Sequence, residues 1–202
     1  MTERDAIRQA YDELAETYAA GRSETGRDMD ILAEFLDTLP AGARILDAGC
    51  GQGTPVLRRL HATATGYGLD FSREQLRLAG KAVPDAPLLQ GDITQLPFDG
   101  GVVDAVVAYH TLIHVPAADQ KTAIREFSRV LRPGGRLLVS DGPTEWAGTN
   151  PDWLDTGVEM RWSIAGADAT RRHLQEAGFT VFDEWDVAED EHWVFLAAQL
   201  DT

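Results

Sequence analysis

The segment over residues 44–55 constrains the fold of this chain more than any other part of the sequence. A short apolar run ends in Asp47 and is followed by glycines at three alternate positions, Gly49, Gly51 and Gly53. Glycine has no Cβ, so these positions let the backbone turn sharply and approach a ligand closely. The segment ends in a Thr-Pro pair, and proline is tolerated in the first turn of a helix. It therefore predicts a strand, a ligand-binding turn and a helix in succession.

The chemistry of the segment indicates which kind of ligand this turn binds. A dinucleotide-binding fingerprint, G-x-G-x-x-G, requires glycine at the position that Thr54 occupies. The Asp47 carboxylate would also repel a pyrophosphate, whereas it would attract a ligand that carries an ammonium and a sulfonium. The turn therefore favours a cationic nucleoside over a phosphorylated one.

Residues 47–53, with the sequence D-A-G-C-G-Q-G, resemble the first motif of the class I S-adenosylmethionine-dependent methyltransferases. The resemblance covers nearly the whole chain, and it implies a Rossmann-like fold with S-adenosyl-L-methionine as the cofactor. A strand-to-helix connection that binds nothing is the alternative for this turn taken alone. By resemblance, the residues of the turn that contact the cofactor are Asp47, Gly49, Cys50, Gly51 and Gly53.

Two later segments match further cofactor motifs of the family in the expected order. Asp70 lies 19 residues beyond the second glycine of the turn. This is near the roughly 20-residue spacing at which an acidic residue meets a ribose diol in doubly wound folds. The alternative is that Asp70 caps the following helix together with Ser72. By resemblance, Phe71 lies beside the adenine, the Asp92 carboxylate accepts a hydrogen bond from the adenine amino group, and Ile93 packs on the ring.

The N-terminal segment carries apolar residues at spacings of three and four, which predicts an amphipathic helix over residues 3–20. In the family that it resembles, this helix forms a mobile cover over the cofactor. Tyr11 and Tyr18 are therefore candidate cofactor contacts. The alternative is that both tyrosines only pack the helix against the core.

A near-continuous apolar run over residues 102–108 is typical of a central strand that is covered on both faces. It delivers Tyr109, His110 and His114 to the carboxyl end of the sheet, where open α/β folds bind ligands. Tyr109 is a candidate cofactor contact. The two histidines are candidate general bases, because an unperturbed histidine has a pKa of about 6.5.

His110 is the preferred base of the two, because it lies two residues past the strand and closer to the expected methyl position. In relatives, the histidine that corresponds to His114 precedes a Val/Leu-Pro pair and is interpreted as structural. Their spacing of four residues also permits a metal pair, but no third ligand pattern lies nearby, so no metal is expected.

Residues 142–166 show no clear periodicity and are interpreted as a loop above the sheet, a candidate substrate lid. The alternative is that the indoles of this loop only anchor it to the core. The large side chains of the loop, with the aspartate that ends the preceding strand, are candidate substrate contacts: Asp141, Trp146, Trp153, Met160 and Trp162.

Strands alternate with helices along the chain and close in a predicted hairpin over residues 179–186 and 193–199, around the acidic turn at 189–191. This order predicts an α/β fold: a Rossmann-like, doubly wound, seven-stranded, mostly parallel sheet with an antiparallel C-terminal strand and helices on both faces. We expect a single domain over residues 1–202. Its parts are an N-terminal helical cover (1–40), a cofactor-binding half (41–141), the lid loop (142–166), and a C-terminal helix and hairpin (167–202).

Charge narrows the choice of partners. The chain has a formal net charge of −15 and no basic cluster, which disfavours a nucleic-acid partner. No apolar run approaches the roughly 20 residues of a membrane helix, and no signal pattern opens the sequence, so we expect a cytoplasmic protein without membrane contact, monomeric or homodimeric. Only two of the 18 basic residues are lysines, which suggests a halophilic source or an arginine-favouring genome.

Two functional interpretations follow from the sequence. The first is an S-adenosylmethionine-dependent methyltransferase that acts on a small-molecule acceptor by in-line transfer, where alignment can supply up to roughly 7–11 kcal/mol. The second is a cofactor-binding member that is non-catalytic or binds a protein through the aromatic loop. A nicotinamide dehydrogenase is a distant third.

Overall fold

A computed structural model describes residues 2–22, 24–188 and 192–202. The acidic turn predicted at 189–191 lies outside the described residues. The strands, in chain order, are β1 (Arg44–Ala48), β2 (Thr65–Asp70), β3 (Leu88–Gln90), β4 (Val103–Ala108), β5 (Leu131–Asp141), β6 (Trp146–Asn150), β7 (Met160–Ile164), β8 (Phe179–Ala188) and β9 (His192–Leu200). The helices are α1 (Glu3–Ala20), α2 (Arg27–Asp37), α3 (Val56–Thr63), α4 (Arg73–Ala82), α5 (Ala117–Val130) and α6 (Ala167–Glu176).

Seven strands form the central sheet, in the order β3-β2-β1-β4-β5-β9-β8. The first five are mutually parallel, and β9 runs antiparallel to both β5 and β8. The predicted fold class is therefore confirmed. The strand order reverses between β1 and β4, so the crevice where open α/β sheets bind ligands opens at the carboxyl ends of these two strands.

Both faces of the sheet are covered, which explains why β4 is buried along its whole length. One face packs on α5 and α6 around Phe127 and Leu174. The other packs on α2 and α3 around Phe35 and Leu60. A strand that is apolar at every position requires two such layers. No helix among the described residues is both long enough and apolar enough to cross a membrane.

Helix α1 lies outside these two layers. Its buried face carries Ile7, Ala10, Tyr11 and Leu14 and packs against Met160 of β7. The helix begins with a capping box in which the Thr2 side chain accepts from the third backbone N–H of the helix and the Asp5 side chain accepts from the Thr2 backbone. The predicted bounds of this helix, 3–20, match those in the structure.

The structure corrects the interpretation of residues 142–166 as a loop, because β6 and β7 form a separate two-stranded antiparallel hairpin. Most of its residues are partly or fully exposed, so the sequence shows no alternation of apolar and polar positions. The two ends of the segment that carries this hairpin meet, since the Ala167 backbone N–H donates to the Gly142 carbonyl at 2.9 Å.

Candidate functional site

The turn after β1 has the strained backbone that its glycines predict. Gly49, Gly51 and Gly53 have φ values of 90°, 52° and 85°. The Gly49 backbone N–H donates to the Leu69 carbonyl at 2.7 Å, which ties the turn to β2. A Cβ on Gly49 would lie 2.4 Å from the Thr111 side chain, so only glycine leaves room here.

Asp47 lies beneath this turn with 1% of its surface exposed. Its Oδ2 has no hydrogen-bond partner among the described residues. Burial, and then the nearby Asp70 charge, raise the pKa of the Asp47 carboxyl well above its usual range. A buried carboxylate oxygen without a partner is costly, and a cationic ligand group beside it would offset that cost.

Cys50 is 7% exposed and packs with Leu57 and Val83. Burial raises the pKa of its thiol well above the usual value, so the thiolate needed for nucleophilic chemistry is disfavoured. The side chain also borders the small pocket at the turn. These contacts agree with the packing role that is usual for a single buried cysteine.

Asp70 connects the turn to the start of α4. Its Oδ2 accepts from the Gly51 backbone N–H at 2.8 Å, and its Oδ1 accepts from the Ser72 backbone N–H at 2.9 Å. Burial raises the pKa of Asp70 to about 6. The side-chain N-cap of α4 is the Ser72 hydroxyl, which accepts from the Gln75 backbone N–H at 3.1 Å. Asp70 also lines a second and more extensive pocket, called the pocket below, which is bordered by the glycine turn, α1 and the carboxyl ends of β2, β3 and β4. It does not serve as the side-chain cap of α4.

The same pocket is also lined by Phe71, Asp92 and Ile93. The Asp92 Oδ2 accepts from Arg4 Nη1 at 2.8 Å. Its Oδ1 accepts from the Thr94 backbone N–H, also at 2.8 Å. The pocket thus has two acidic side chains, Asp70 and Asp92, and the second of them is paired with the Arg4 guanidinium from α1.

Helix α1 covers the pocket and is fixed to the main body along its length. Arg4 binds Asp92 near the beginning of the helix. In the middle, the Asp12 Oδ1 accepts from the Ser72 hydroxyl at 2.7 Å and from the Glu74 backbone N–H at 3.2 Å. The candidate contacts Tyr11 and Tyr18 both line the pocket, and their rings meet edge to face at 5.3 Å.

His110 and His114 line both the pocket and a larger cleft beside it. The His114 Nε2 lies 2.8 Å from the Tyr11 hydroxyl oxygen. The His110 backbone N–H donates to the Ser140 hydroxyl at 2.7 Å, and the His110 Nδ1 lies 3.3 Å from the same oxygen. Burial lowers the pKa of His110 to about 3 and that of His114 to about 4, so both imidazoles are neutral at pH 7.

Tyr109 lines the pocket and reaches helix α2. Its hydroxyl donates a short hydrogen bond to the Asp28 carboxylate, while its ring packs against the His110 ring at 4.4 Å. Burial, and then this hydrogen bond, raise the pKa of the Tyr109 hydroxyl far above its usual range. The hydroxyl of Tyr109 is therefore paired with α2, and Tyr109 is among the residues that line the pocket.

The larger cleft lies between α1, the β6–β7 hairpin and the carboxyl ends of β4 and β5. It has about 2040 Å³ of empty space, part of it open to solvent, against about 670 Å³ for the cofactor pocket. Three of the predicted substrate contacts, Trp146, Trp153 and Trp162, line it. This supports the interpretation of the hairpin as one wall of an acceptor site.

The other two predicted substrate contacts are not among the residues that line the cleft. Met160 is fully buried and packs under α1. Asp141 is 1% exposed, and its carboxylate accepts from the Thr170 hydroxyl at 2.5 Å and from the Gly142 backbone N–H at 2.8 Å. Both residues support the hairpin, which corrects their expected place beside the substrate.

Polar residues of the site that were not predicted from the sequence include Arg4, Arg22 and Gln75. The Gln75 side chain is 1% exposed, and neither its Nε2 nor its Oε1 has a partner among the described residues. Arg4 and Gln75 line the cofactor pocket, and Arg22 borders both the cleft and the pocket at the turn. A signal existed for Arg4, because a spacing of seven residues places it on the helix face of Tyr11 and Tyr18. The described residues hold no group of three or more His, Cys, Asp or Glu that could bind a metal.

A model of the methyltransferase domain matches residues 46–139. Methyltransferase GfsG of Streptomyces halstedii is 39% identical over 181 residues, which cover 83% of this chain and 63% of that protein. The 27-O-demethylrifamycin SV methyltransferase of Amycolatopsis mediterranei is 36% identical over 181 residues, or 82% of this chain and 64% of that protein. An uncharacterized methyltransferase of Synechocystis is 33% identical over 145 residues, or 69% and 68% of the two chains. The chain spans about half to two thirds of the length of several curated relatives that it matches.

Solved structures share the fold at lower sequence identity. Magnesium protoporphyrin IX methyltransferase from Synechocystis with bound S-adenosylmethionine has a TM-score of 0.76 and 18% identity, over 100% of this chain and 98% of that chain. The [4+2]-cyclase SpnF has a TM-score of 0.77 and 21% identity, over 100% and 98% of the two chains. Since a methyltransferase and a cyclase both match, the fold alone leaves the reaction open.

Proposed function

Because the chain belongs to the class I S-adenosylmethionine-dependent methyltransferases, we propose that it transfers a methyl group from S-adenosylmethionine to a small molecule in the cleft beside the β6–β7 hairpin. The observation that carries this proposal is the junction of two cavities. The pocket built from the glycine turn, Asp70 and Asp92 meets the larger aromatic cleft at His110 and His114. Relatives named as methyltransferases of small molecules support the choice of acceptor.

The residues of the pocket and of the small pocket at the adjoining glycine turn fit S-adenosylmethionine. The unpaired Asp47 oxygen suits a cationic tail, and the close approach allowed by Gly49 suits a ligand that lies on the backbone. The Asp70 carboxylate suits a ribose diol, because each of its oxygens keeps a lone pair beyond the bond that it already accepts. The unpaired Gln75 amide adds a donor and an acceptor.

When bound, S-adenosylmethionine supplies an electrophilic methyl carbon on its sulfonium and is left as S-adenosylhomocysteine. The protein's own contribution is alignment and exclusion of water. Helix α1 closes the pocket through Arg4 and Asp12, and the indoles of the cleft hold the acceptor in place. Holding two reactants in line can account for much of the rate of such a displacement.

Hydrogen bonding supports different proposed roles for the two histidines. The Ser140 hydroxyl accepts the His110 backbone N–H, so its own proton can donate to the His110 Nδ1. This leaves the proton of the neutral His110 ring on Nε2, as a donor toward the acceptor. We propose His114 as the base in place of His110, which the sequence favoured, because the His114 Nε2 lies 2.8 Å from the Tyr11 hydroxyl oxygen. In the tautomer that carries the ring proton on Nδ1, this Nε2 can take a proton relayed through the Tyr11 hydroxyl.

Calorimetric titration with S-adenosylmethionine, followed by a screen of small acceptors for S-adenosylhomocysteine formation, tests the proposal. Cofactor binding and turnover on at least one acceptor are expected. Absence of cofactor binding would refute it. Binding without turnover on any acceptor would favour the non-catalytic or protein-binding alternative. Cytoplasmic localisation, the single domain, the oligomeric state and a halophilic source stay predictions.

A further inference from the structure

The acceptor cleft differs in charge from the rest of the molecule. The chain has 33 acidic residues and a formal net charge of −15. None of the described residues that line the cleft is an aspartate or a glutamate. Its ionisable lining consists of Arg22, His110, His114, His192 and the two tyrosines of α1. At the rim, the His192 Nε2 pairs with the Asp186 carboxylate at 2.5 Å. The described lining of the cleft thus carries no carboxylate, although the chain as a whole is strongly acidic.

Arg22 is the only arginine in this lining, and it is half-buried just after the end of α1. Its guanidinium carbon lies 5.5 Å from the centre of the Tyr18 ring. No carboxylate in the part of the chain that the structure describes forms an ion pair with it, in contrast to Arg4, Arg27, Arg58 and Arg77. Its charge reaches the catalytic end of the cleft, where it adds to the effect of burial in lowering the pKa of His110.

Aromatic rings form the walls of the cleft. Trp162 lies 5.5 Å from Trp153 and 6.4 Å from Trp146, centre to centre. Trp153 in turn lies 5.6 Å from Tyr18. Flat rings stack well on such surfaces, and the volume of the cleft exceeds that of a single ring.

We propose that the methyl acceptor is a flat aromatic compound that carries a carboxylate, bound with its rings against the indoles and its carboxylate on Arg22. This inference rests on the proposed function, since it names the acceptor class of the same site. A guanidinium pairs with a carboxylate through two parallel hydrogen bonds, and partial burial strengthens the pair. A cationic amine would meet Arg22 with the same charge, and the described lining offers it no carboxylate.

The carboxylate of the cofactor is a second source of the same chemistry. Arg22 also borders the pocket at the glycine turn, and its charge acts on Asp47 there. The test must therefore separate binding of the acceptor from binding of the cofactor. Measuring acceptor probes in the presence of saturating S-adenosylhomocysteine does so, because the cofactor site is then filled in every variant.

Three naphthalenes of similar shape serve as calorimetric probes: 6-hydroxy-2-naphthoate, 2-naphthol and 2-(aminomethyl)naphthalene. With the wild-type protein, we expect the naphthoate to bind at least about tenfold more tightly than 2-naphthol, and the amine to bind most weakly. In Arg22→Gln the preference for the naphthoate should disappear, and in Arg22→Lys part of it should remain. Arg172→Gln removes an exposed charge on α6, outside the cleft lining, and should change nothing.

Each outcome has one meaning. If S-adenosylhomocysteine fails to bind the wild-type protein, the proposed function fails. If it binds but the naphthoate binds no better than the amine, only this inference fails. If Arg22→Gln weakens S-adenosylhomocysteine and leaves the naphthoate preference intact, Arg22 serves the cofactor and the inference is overturned. Circular dichroism checks that each variant is folded, and the Arg22→Lys variant provides the comparison if the glutamine variant is not.

Discussion

Asp70 shows how one side chain can organise both the backbone and a ligand site. Its two oxygens accept from the Gly51 and Ser72 backbone N–H groups, so it fixes the glycine turn against α4. Those bonds favour the ionised carboxylate, whereas burial disfavours it and raises the pKa to about 6. A carboxylate with this pKa loses its charge just below neutral pH.

Replacing Asp70 with alanine should weaken S-adenosylmethionine binding by about 1–3 kcal/mol, the loss expected when hydrogen bonds to a charged group disappear. Calorimetry measures the dissociation constant. An unchanged constant would refute the ribose role. Because Asp70 also fixes the turn, Asp70→Asn is the milder companion variant, and thermal unfolding of both shows how much of the loss comes from the turn itself.

The affinity for the cofactor should fall as the pH drops through about 6, by up to about tenfold per pH unit. The sign follows from the raised pKa: above it the carboxylate is ionised and accepts from the diol, and below it one oxygen becomes a donor. Titrations across this range test the prediction, and Asp70→Asn is the control, because an amide does not titrate there. A wild-type profile as flat as that of the variant would contradict it.

His114→Gln and Tyr11→Phe should each lower turnover by about 10²–10⁴-fold if the acceptor must lose a proton, since both remove the relay between the two side chains. Cofactor affinity, measured separately, should change little. His110→Gln, which keeps both an acceptor for the Ser140 hydroxyl and a side-chain donor, should cost less. Turnover that survives in all three variants would show that alignment alone suffices.

Among the elements, the contacts of α1 and the existence of the β6–β7 hairpin were hardest to predict from the sequence, although the bounds of α1 were predicted correctly. The positions of the glycine turn and of Asp70 could be predicted, because each lies at the end of a strand and the carboxyl ends of parallel strands meet at one edge of the sheet. The contacts of α1 could not be predicted, since Arg4 lies 88 residues from Asp92 in the sequence and Tyr11 lies 103 residues from His114. Such pairs depend on how a helix packs over the sheet. The hairpin was missed because its exposed strands carry no alternating pattern.

Asp12→Ala should increase the dissociation rate of the cofactor several-fold, because it removes the two hydrogen bonds that join the middle of α1 to the start of α4. Each bond contributes about 1 kcal/mol. Stopped-flow displacement of S-adenosylhomocysteine measures the rate. Glu13→Ala is the matched control, since that exposed carboxylate bonds only within α1, to Gln9 at 2.8 Å. Equal effects of the two substitutions would mean that α1 does not act as the cover.

For the whole molecule, the dominant property is its excess of negative charge. A formal net charge of −15 makes self-repulsion a general destabilising effect, and dissolved ions screen it. Most of the ion pairs in the structure involve side chains that are about 40% exposed or more, such as Arg58 with Glu24, so they contribute little to stability. Screening should therefore stabilise the protein more than it weakens these pairs.

The melting temperature should rise as sodium chloride is increased from about 0.01 M, where the screening length is about 30 Å, to about 1 M, where it is about 3 Å. Thermal unfolding followed by circular dichroism measures it. A rise that ends near about 0.15 M reflects simple screening. A rise that continues into the molar range supports a halophilic source, and equal melting temperatures at all concentrations would contradict both.

The hydrogen bond between Gly142 and Ala167 marks the β6–β7 hairpin as an insert beside the central sheet. Because the chain leaves and rejoins the main body at adjacent points, the hairpin interrupts no strand of the seven-stranded sheet. Three of the indoles that line the cleft belong to this hairpin or to the segment between its strands. Substitutions at these indoles should therefore alter the walls of the cleft while the seven-stranded sheet stays intact.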